Sequence, residues 1–85
     1  MFFAYILECA DGTLYAGSTN DLNKRLHEHN NSKNGAHYTK IRRPVVLRYS
    51  ESFETYAGAR KREAEIKRLK KTEKVQLINS FNVVE

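Results

Sequence analysis

Near the start of the chain an apolar run at residues 2–7 (FFAYIL) and a shorter one at 14–16 (LYA) flank the pair Asp11-Gly12. Their aromatic and branched residues predict strands over residues 2–9 and 13–18. An Asp-Gly between two such runs is a strong hairpin signal. Loop length then decides which side chains share a face. A two-residue loop, Asp11-Gly12, pairs Tyr15 with Glu8 and sends Tyr5 and Tyr15 to opposite faces. A three-residue loop, Ala10-Asp11-Gly12, pairs Tyr15 with Leu7 and Tyr5 with Gly17. The period of two then puts both phenols on one face. The longer loop also gives Gly12 the left-handed position that such a turn requires, and it is the expectation adopted.

Thr19-Asn20-Asp21 offers caps for a helix over residues 22–29, with Leu22 and Leu26 as its buried stripe and Arg25 and His29 along the edge. Polar residues 30–35 end this helix, and residues 36–44 read as an exposed basic loop holding His37, Tyr38, Lys40, Arg42 and Arg43. A third strand follows over residues 45–49. Ala59, Glu63, Ile66 and Leu69 keep helical spacing in a helix over residues 55–70, so Glu63 falls within its apolar stripe. Thr72 is the expected cap of a last helix carrying Val75, Ile78 and Phe81. The order β-β-α-β-α-α predicts an α+β fold, a small three-stranded, mostly antiparallel sheet flanked by helices, with residues 1–85 as a single domain.

Composition narrows the function. A chain of 85 residues buries only about 60% of the surface its unfolded form exposes, so the core is small. Fifteen Lys and Arg against ten Asp and Glu give a formal charge of +5, which raises the expectation of a polyanionic partner beside the equal alternative of a soluble surface that is merely basic. Cys9 is the single cysteine, which excludes an intrachain disulfide and a cysteine zinc cluster. No apolar run approaches the roughly 20 residues of a membrane span, and residues 2–7 lack the basic flank of a signal peptide. A cytoplasmic setting, in a bacterial cytosol or nucleoid or in a nucleus, is the default expectation.

A phenol pair, a guanidinium at Arg25 and a carboxylate at Glu63 make a poor peptidase and a sensible phosphodiesterase. Arginine grips phosphate oxygens bidentately, and a lone carboxylate suffices for a magnesium ion that keeps most of its waters. Each residue also has a plainer reading. A strand tyrosine usually packs with its hydroxyl at the rim. Arg25 can pair with Glu28 or Asp21, Glu63 can be half of a structural ion pair, and His29 can be an exposed surface residue.

The same residues carry a resemblance. Phe3-Ala4-Tyr5, then Tyr15-Ala16-Gly17 with Ser18-Thr19, then Arg25-Leu26 and His29, resemble the signature of the GIY-YIG nucleases. The likeness continues through Gly35-Ala36-His37-Tyr38-Thr39-Lys40, Arg42-Arg43-Pro44-Val45 and Ala59 to Glu63, Ile66 and Lys67. It is nearest to the small stand-alone branch described as excinuclease-subunit-C-like. Ser18 stands where the DNA-repair branch usually has lysine, and the first triplet keeps only its tyrosine. The resemblance implies the GIY-YIG fold and a divalent-metal-dependent DNA endonuclease. Glu63 would hold Mg²⁺ or Mn²⁺, Tyr15 would act as general base or position the attacking water, and Tyr5 would orient that water or contact the phosphate. Arg25 would hold the scissile phosphate, His29 would assist proton transfer, and Asn79 or Asn82 would supply a late asparagine. Lys40, Arg42, Arg43, Arg60, Arg62 and Lys67 are the expected nucleic-acid contacts. No segment reads as an added DNA-binding domain, so recognition is expected to follow DNA structure, branched or single-stranded, rather than sequence. The alternative is a weakly catalytic or non-catalytic binding module that needs a protein partner for DNA recognition.

Overall fold

A computed structural model describes residues 1–82. Strand β1 (Phe2–Glu8) is central in a three-stranded sheet of order β2-β1-β3, with β2 (Leu14–Thr19) and β3 (Val46–Phe53) antiparallel to it on either side. Helices α1 (Leu22–Asn31), α2 (His37–Lys40), α3 (Tyr56–Arg68) and α4 (Lys71–Asn82) complete the fold. One face of the sheet supplies Ala4, Ile6, Ala16 and Tyr49 to a core closed by Ile66 of α3 and Ile78 of α4. The other face supplies Tyr5 and Leu7, packed with Cys9, Val45 and the α1 leucines Leu22 and Leu26. Helices on both faces explain why β1 shows no polar alternation: Ala4, Tyr5, Ile6 and Leu7 are all buried.

The hairpin follows the three-residue loop. Tyr5 pairs with Gly17 and Leu7 with Tyr15, and Gly12 sits at φ +85°. Both phenols therefore lie on the α1 side of the sheet. The ring of Tyr5 lies across Gly17, where an added Cβ would collide with the Tyr5 hydroxyl and come within 2.6 Å of Cζ. That glycine is a requirement of packing, while Gly12 is one of backbone conformation.

Several boundaries differ from expectation. The predicted exposed loop over residues 36–44 contains the one-turn helix α2 and a fully buried Thr39, and it is tied to α1 at its C-terminal end. Asn30 clips it bidentately, its Nδ2 donating to the Val45 carbonyl and its Oδ1 accepting from the Val45 amide. Arg43 donates to the carbonyls of His29, Glu28 and Ser32, satisfying the last turn of α1. Strand β3 runs on to Phe53 because the polar residues beyond Tyr49 occupy a sheet edge and find partners there, as Glu51 does with Arg62. The caps of α1 and α3 are Asp21 and Thr55. Thr72 lies inside α4, whose start is held instead by Glu73 reaching back to the Lys70 amide. The centre of α1 is also not what the leucines suggested: its fully buried residue is His29, and Leu22 and Leu26 are half-buried.

Gly17→Ala should cost roughly 1–3 kcal/mol, the scale of an overpacked core, because the Tyr5 ring must leave its position. Gly12→Ala should cost about 1–2 kcal/mol through its left-handed backbone alone. Denaturant melts of the two variants in a Tyr5→Ala background check the difference: removing the ring should relieve the Gly17 penalty and leave that at Gly12 unchanged.

Candidate active site at the β2 edge

Tyr5 and Tyr15 share a face but not a state. The Tyr5 side chain is buried, and its hydroxyl lies 2.8 Å from Nε2 of His29. Burial, opposed by the neighbouring Arg25 guanidinium, pushes this phenol up to about 12. Tyr15 is half-buried, its ring edge-on to His29 at 5.3 Å and stacked on Tyr38 at 5.8 Å. Its hydroxyl has no hydrogen-bond partner among the described residues and no buried side-chain polar atom there is left unpaired, so this hydroxyl is open to solvent. Of the two phenols, Tyr15 is the one a water or substrate can reach. The expectation that Tyr5 contacts water or phosphate directly meets a hydroxyl already committed inside the protein.

His29 is likewise not at an exposed edge. It has no accessible surface, and its second nitrogen, Nδ1, lies 2.8 Å from Oγ1 of Thr39. Burial, reinforced by Arg25 and Arg43, lowers its pKa to about 4. A ring so reluctant to take a proton is suited to orienting Tyr5 rather than to carrying protons to a leaving group.

Arg25 leaves α1 at the rim of an open hollow of about 460 Å³, lined also by Ser18, Thr19, Asn20, Phe2 and Tyr56. Its Nη1 serves both Glu28 and the Asn34 carbonyl, at 2.9 Å each. Nε and Nη2 make no close hydrogen bond among the described residues, the Tyr5 oxygen lies beside the guanidinium as an acceptor, and the fork otherwise stays open to a phosphate. The sequence offered Glu28 as the bland partner of Arg25; the pair exists without using up the guanidinium.

Glu63 lies on the other face of the sheet. Its Oε1 accepts from the Ser18 hydroxyl at 2.6 Å and its Oε2 pairs with Lys67 at 2.7 Å. Burial pushes this carboxyl up, but the bonds from Lys67 and Ser18 outweigh it and hold the group below the usual carboxylate range. Lys67 is held above the lysine range by Glu63, with a smaller contribution from the Tyr15 phenol. Tyr15 and the Glu63–Lys67 pair thus flank the same exposed strand edge. The structure brings Tyr5, Tyr15 and His29 into contact, sets Arg25 beside Tyr5, and places Glu63 around the β2 edge from them. Among the described residues no group of three or more His, Cys, Asp or Glu is placed to hold a metal ion.

The basic residues divide. Arg60 is exposed, 5.7 Å from the Tyr56 ring, and adds to the positive field at Glu63. Lys40 is half-buried on α2. The expected nucleic-acid contacts Arg42, Arg43 and Arg62 are engaged within the fold. Arg42 pairs with Asp11 and covers the Tyr38 ring at 3.9 Å, Arg43 clasps α1, and Arg62 bonds Glu51 and Glu65 away from the hollow. Asn79 is exposed on α4, and the side chain of Asn82 lies outside the described residues. Sequence reasoning missed Thr39, Tyr38 and the bond from Ser18 to Glu63. A small hydroxyl residue gives no periodic signal, and Ser18 stood out only as the absence of a lysine.

The low pKa of His29 has a definite sign for stability. Its folded value lies below the ordinary 6.5, so protonation favours the unfolded chain. The contribution is complete above about pH 6.5 and is lost as pH falls toward 4, by at most about 1.4 kcal/mol per pH unit. His29→Gln cannot titrate and should remove this slope. Denaturation free energies at stepped pH, compared between the two proteins, test it; equal slopes refute a buried neutral His29.

Known proteins resemble this chain in sequence and fold. The family model described as the GIY-YIG catalytic domain matches residues 1–77. A UPF0213 protein of Syntrophus aciditrophicus is 54% identical over 76 residues, covering 89% of this chain and 87% of its own. One from Staphylococcus saprophyticus is 51% identical over 77 residues, covering 91% and 93%. Solution NMR structures of a UPF0213 protein of Bacillus halodurans (39% identity, TM-score 0.58, covering 93% of this chain and 84% of that one) and of a protein of E. faecalis (41%, 0.63, 98% and 88%) have the same fold. With tyrosines, arginine and glutamate disposed about one strand edge and nearly the whole chain matched, this protein belongs to the GIY-YIG family of nuclease-type catalytic domains.

Proposed function

We propose that the protein is a divalent-metal-dependent endonuclease that hydrolyses phosphodiester bonds in DNA and selects its substrate by structure rather than sequence. The observation that carries this reading is the Ser18–Glu63 hydrogen bond. It ties the carboxylate in the apolar stripe of α3 to the strand that also bears the accessible Tyr15. A structural ion pair with Lys67 alone would not require that attachment.

The donor set suits Mg²⁺ or Mn²⁺. Such ions need few protein carboxylates and complete their shell with water and phosphate oxygens, whereas a zinc site would ask for several His or Cys ligands. Glu63 would hold the ion, with Lys67, half exposed at 53%, free to swing aside. When bound, the metal lowers the pKa of a coordinated water and stabilises the leaving oxygen. The chain supplies the rest. Arg25 grips the scissile phosphate through Nε and Nη2. Tyr15 would position the attacking water or, as the phenolate, take its proton and become the neutral phenol. Ser18 fixes the Glu63 carboxylate. Arg60 and Lys40 contribute positive potential for the DNA backbone. The rival reading, a binding module, has one observation in its favour: Lys67 already neutralises Glu63 and can stand in for a metal.

Glu63→Gln separates the two readings. The amide still accepts from Ser18, so stability should change little, while Mg²⁺-dependent cleavage should fall at least roughly a hundredfold. DNA affinity should persist. Assays on branched, single-stranded and duplex DNA with Mg²⁺, Mn²⁺ or EDTA decide it. Unchanged cleavage per folded molecule removes Glu63 from the chemistry, and no cleavage by the parent protein on any substrate favours the binding module.

Binding itself should be carried by phosphate contacts. The affinity should then fall with salt at a log-log slope of about −0.9 per phosphate neutralised on duplex DNA. Fluorescence titrations over a range of salt measure this; a flat profile would contradict it.

A further inference from the structure

A hydrogen-bonded line runs from the carbonyl of Ala36, which also accepts the Thr39 and Lys40 amides, through Thr39 and His29 to Tyr5, and the acceptor-only carbonyl at its end favours one direction for the protons along it. The carbonyl can only accept. Thr39 Oγ1 lies 2.9 Å from it, so the single hydroxyl proton points there. Two oxygens at that distance without a proton between them would repel, and a hydroxyl bonded back to the carbonyl three residues earlier is a common habit of helical threonine. Thr39 is left with lone pairs to offer His29 Nδ1 at 2.8 Å, so Nδ1 must carry a proton. The ring is fully buried and holds one proton only, which makes Nε2 an acceptor. Tyr5, 2.8 Å away, therefore donates to it.

We propose that Thr39 is a positioning residue: by fixing the His29 tautomer it turns the Tyr5 hydroxyl proton inward and presents the phenol oxygen's lone pairs to the Arg25 guanidinium. The opposite tautomer would reverse the line. Nε2 would donate to Tyr5, and the phenol proton would turn outward against a guanidinium that has only donors to offer. Arg25 would lose an acceptor beside it and its aim at the hollow. Thr39 thus acts on a phosphate-binding arginine through two intervening side chains, without touching substrate. The functional half of this inference rests on the nuclease reading; the proton direction does not.

Long-range proton–nitrogen spectra of the ¹⁵N-labelled full chain read the tautomer directly, with His29 assigned by the signals lost in His29→Gln. The expected result at neutral pH is a protonated Nδ1 and an unprotonated Nε2. The reverse pattern, or a doubly protonated ring, overturns the proposal. Thr39→Ser should keep the pattern and Thr39→Val should mix or reverse it, with Thr39→Ala in its place if valine does not fold. A valine or alanine variant that retains the parent tautomer overturns Thr39 as its director. Where cleavage is measurable, Thr39→Val should lower kcat/KM about tenfold, the lower end of the cost of losing an orienting partner, and Thr39→Ser should not. Equal rates refute the functional half. The spectra need no activity, so a protein that never cuts DNA sinks the nuclease reading and leaves the tautomer result to stand or fall alone.

Discussion

An imidazole buried without charge needs a partner on each nitrogen, and much of this molecule is arranged to meet that demand at His29. One nitrogen faces the sheet, where the Tyr5 ring reaches it only because Gly17 has no side chain to hold the ring off. The other faces the segment after α1, which must fold into a turn to bring Thr39 inward. That turn stays in place because Arg43 and Asn30 bind it to the end of α1 and the start of β3. Leaving either nitrogen unpaired would cost about 1–3 kcal/mol, a large share of the stability of so small a domain.

The sheet then acts as a partition. Phenols, imidazole and guanidinium gather on the α1 side, while the carboxylate rises from α3 on the other. The two sets meet around β2 because it is an edge strand, with Ser18 directed to one face and Tyr15 to the other. A paired strand in that position would have sealed them from each other. Keeping the anionic Glu63 on the far side of a strand from Arg25 also avoids an internal salt bridge that would quench both.

The hairpin register was legible because glycine chemistry and the period of two leave few choices. Loop length alone placed both phenols on one face, and the structure has that pairing. The cap of α1 and the stripe of α3 were legible for the same reason, local geometry being written in local residues, whereas the expected cap Thr72 falls inside α4. The segment over residues 36–44 was not. Its basic residues looked solvated, but Arg42 and Arg43 spend their donors on Asp11, the Tyr38 carbonyl and the end of α1. Apart from the bond to Tyr38, these join residues far apart in the chain and leave no periodic trace. His29 was misplaced in the same way, since a helical position four residues from arginine does not reveal that a threonine ten residues on will cover it. The family resemblance named Tyr5, Tyr15 and His29 together but could not tell which hydroxyl stays in reach of water; that depends on depth, which the register does not encode.

The bond between Ser18 and Glu63 spans 45 positions of a chain of 85. During synthesis the strand bearing Tyr15 and the helix bearing Arg25 leave the ribosome well before the carboxylate does. A lone hairpin is only marginally stable in water, so the anion cannot join a finished half-site. It arrives with the helix that closes the core through Ala59 and Ile66. The candidate site therefore comes into being with the whole domain, and a truncated or half-made chain holds phenols and guanidinium without the acid.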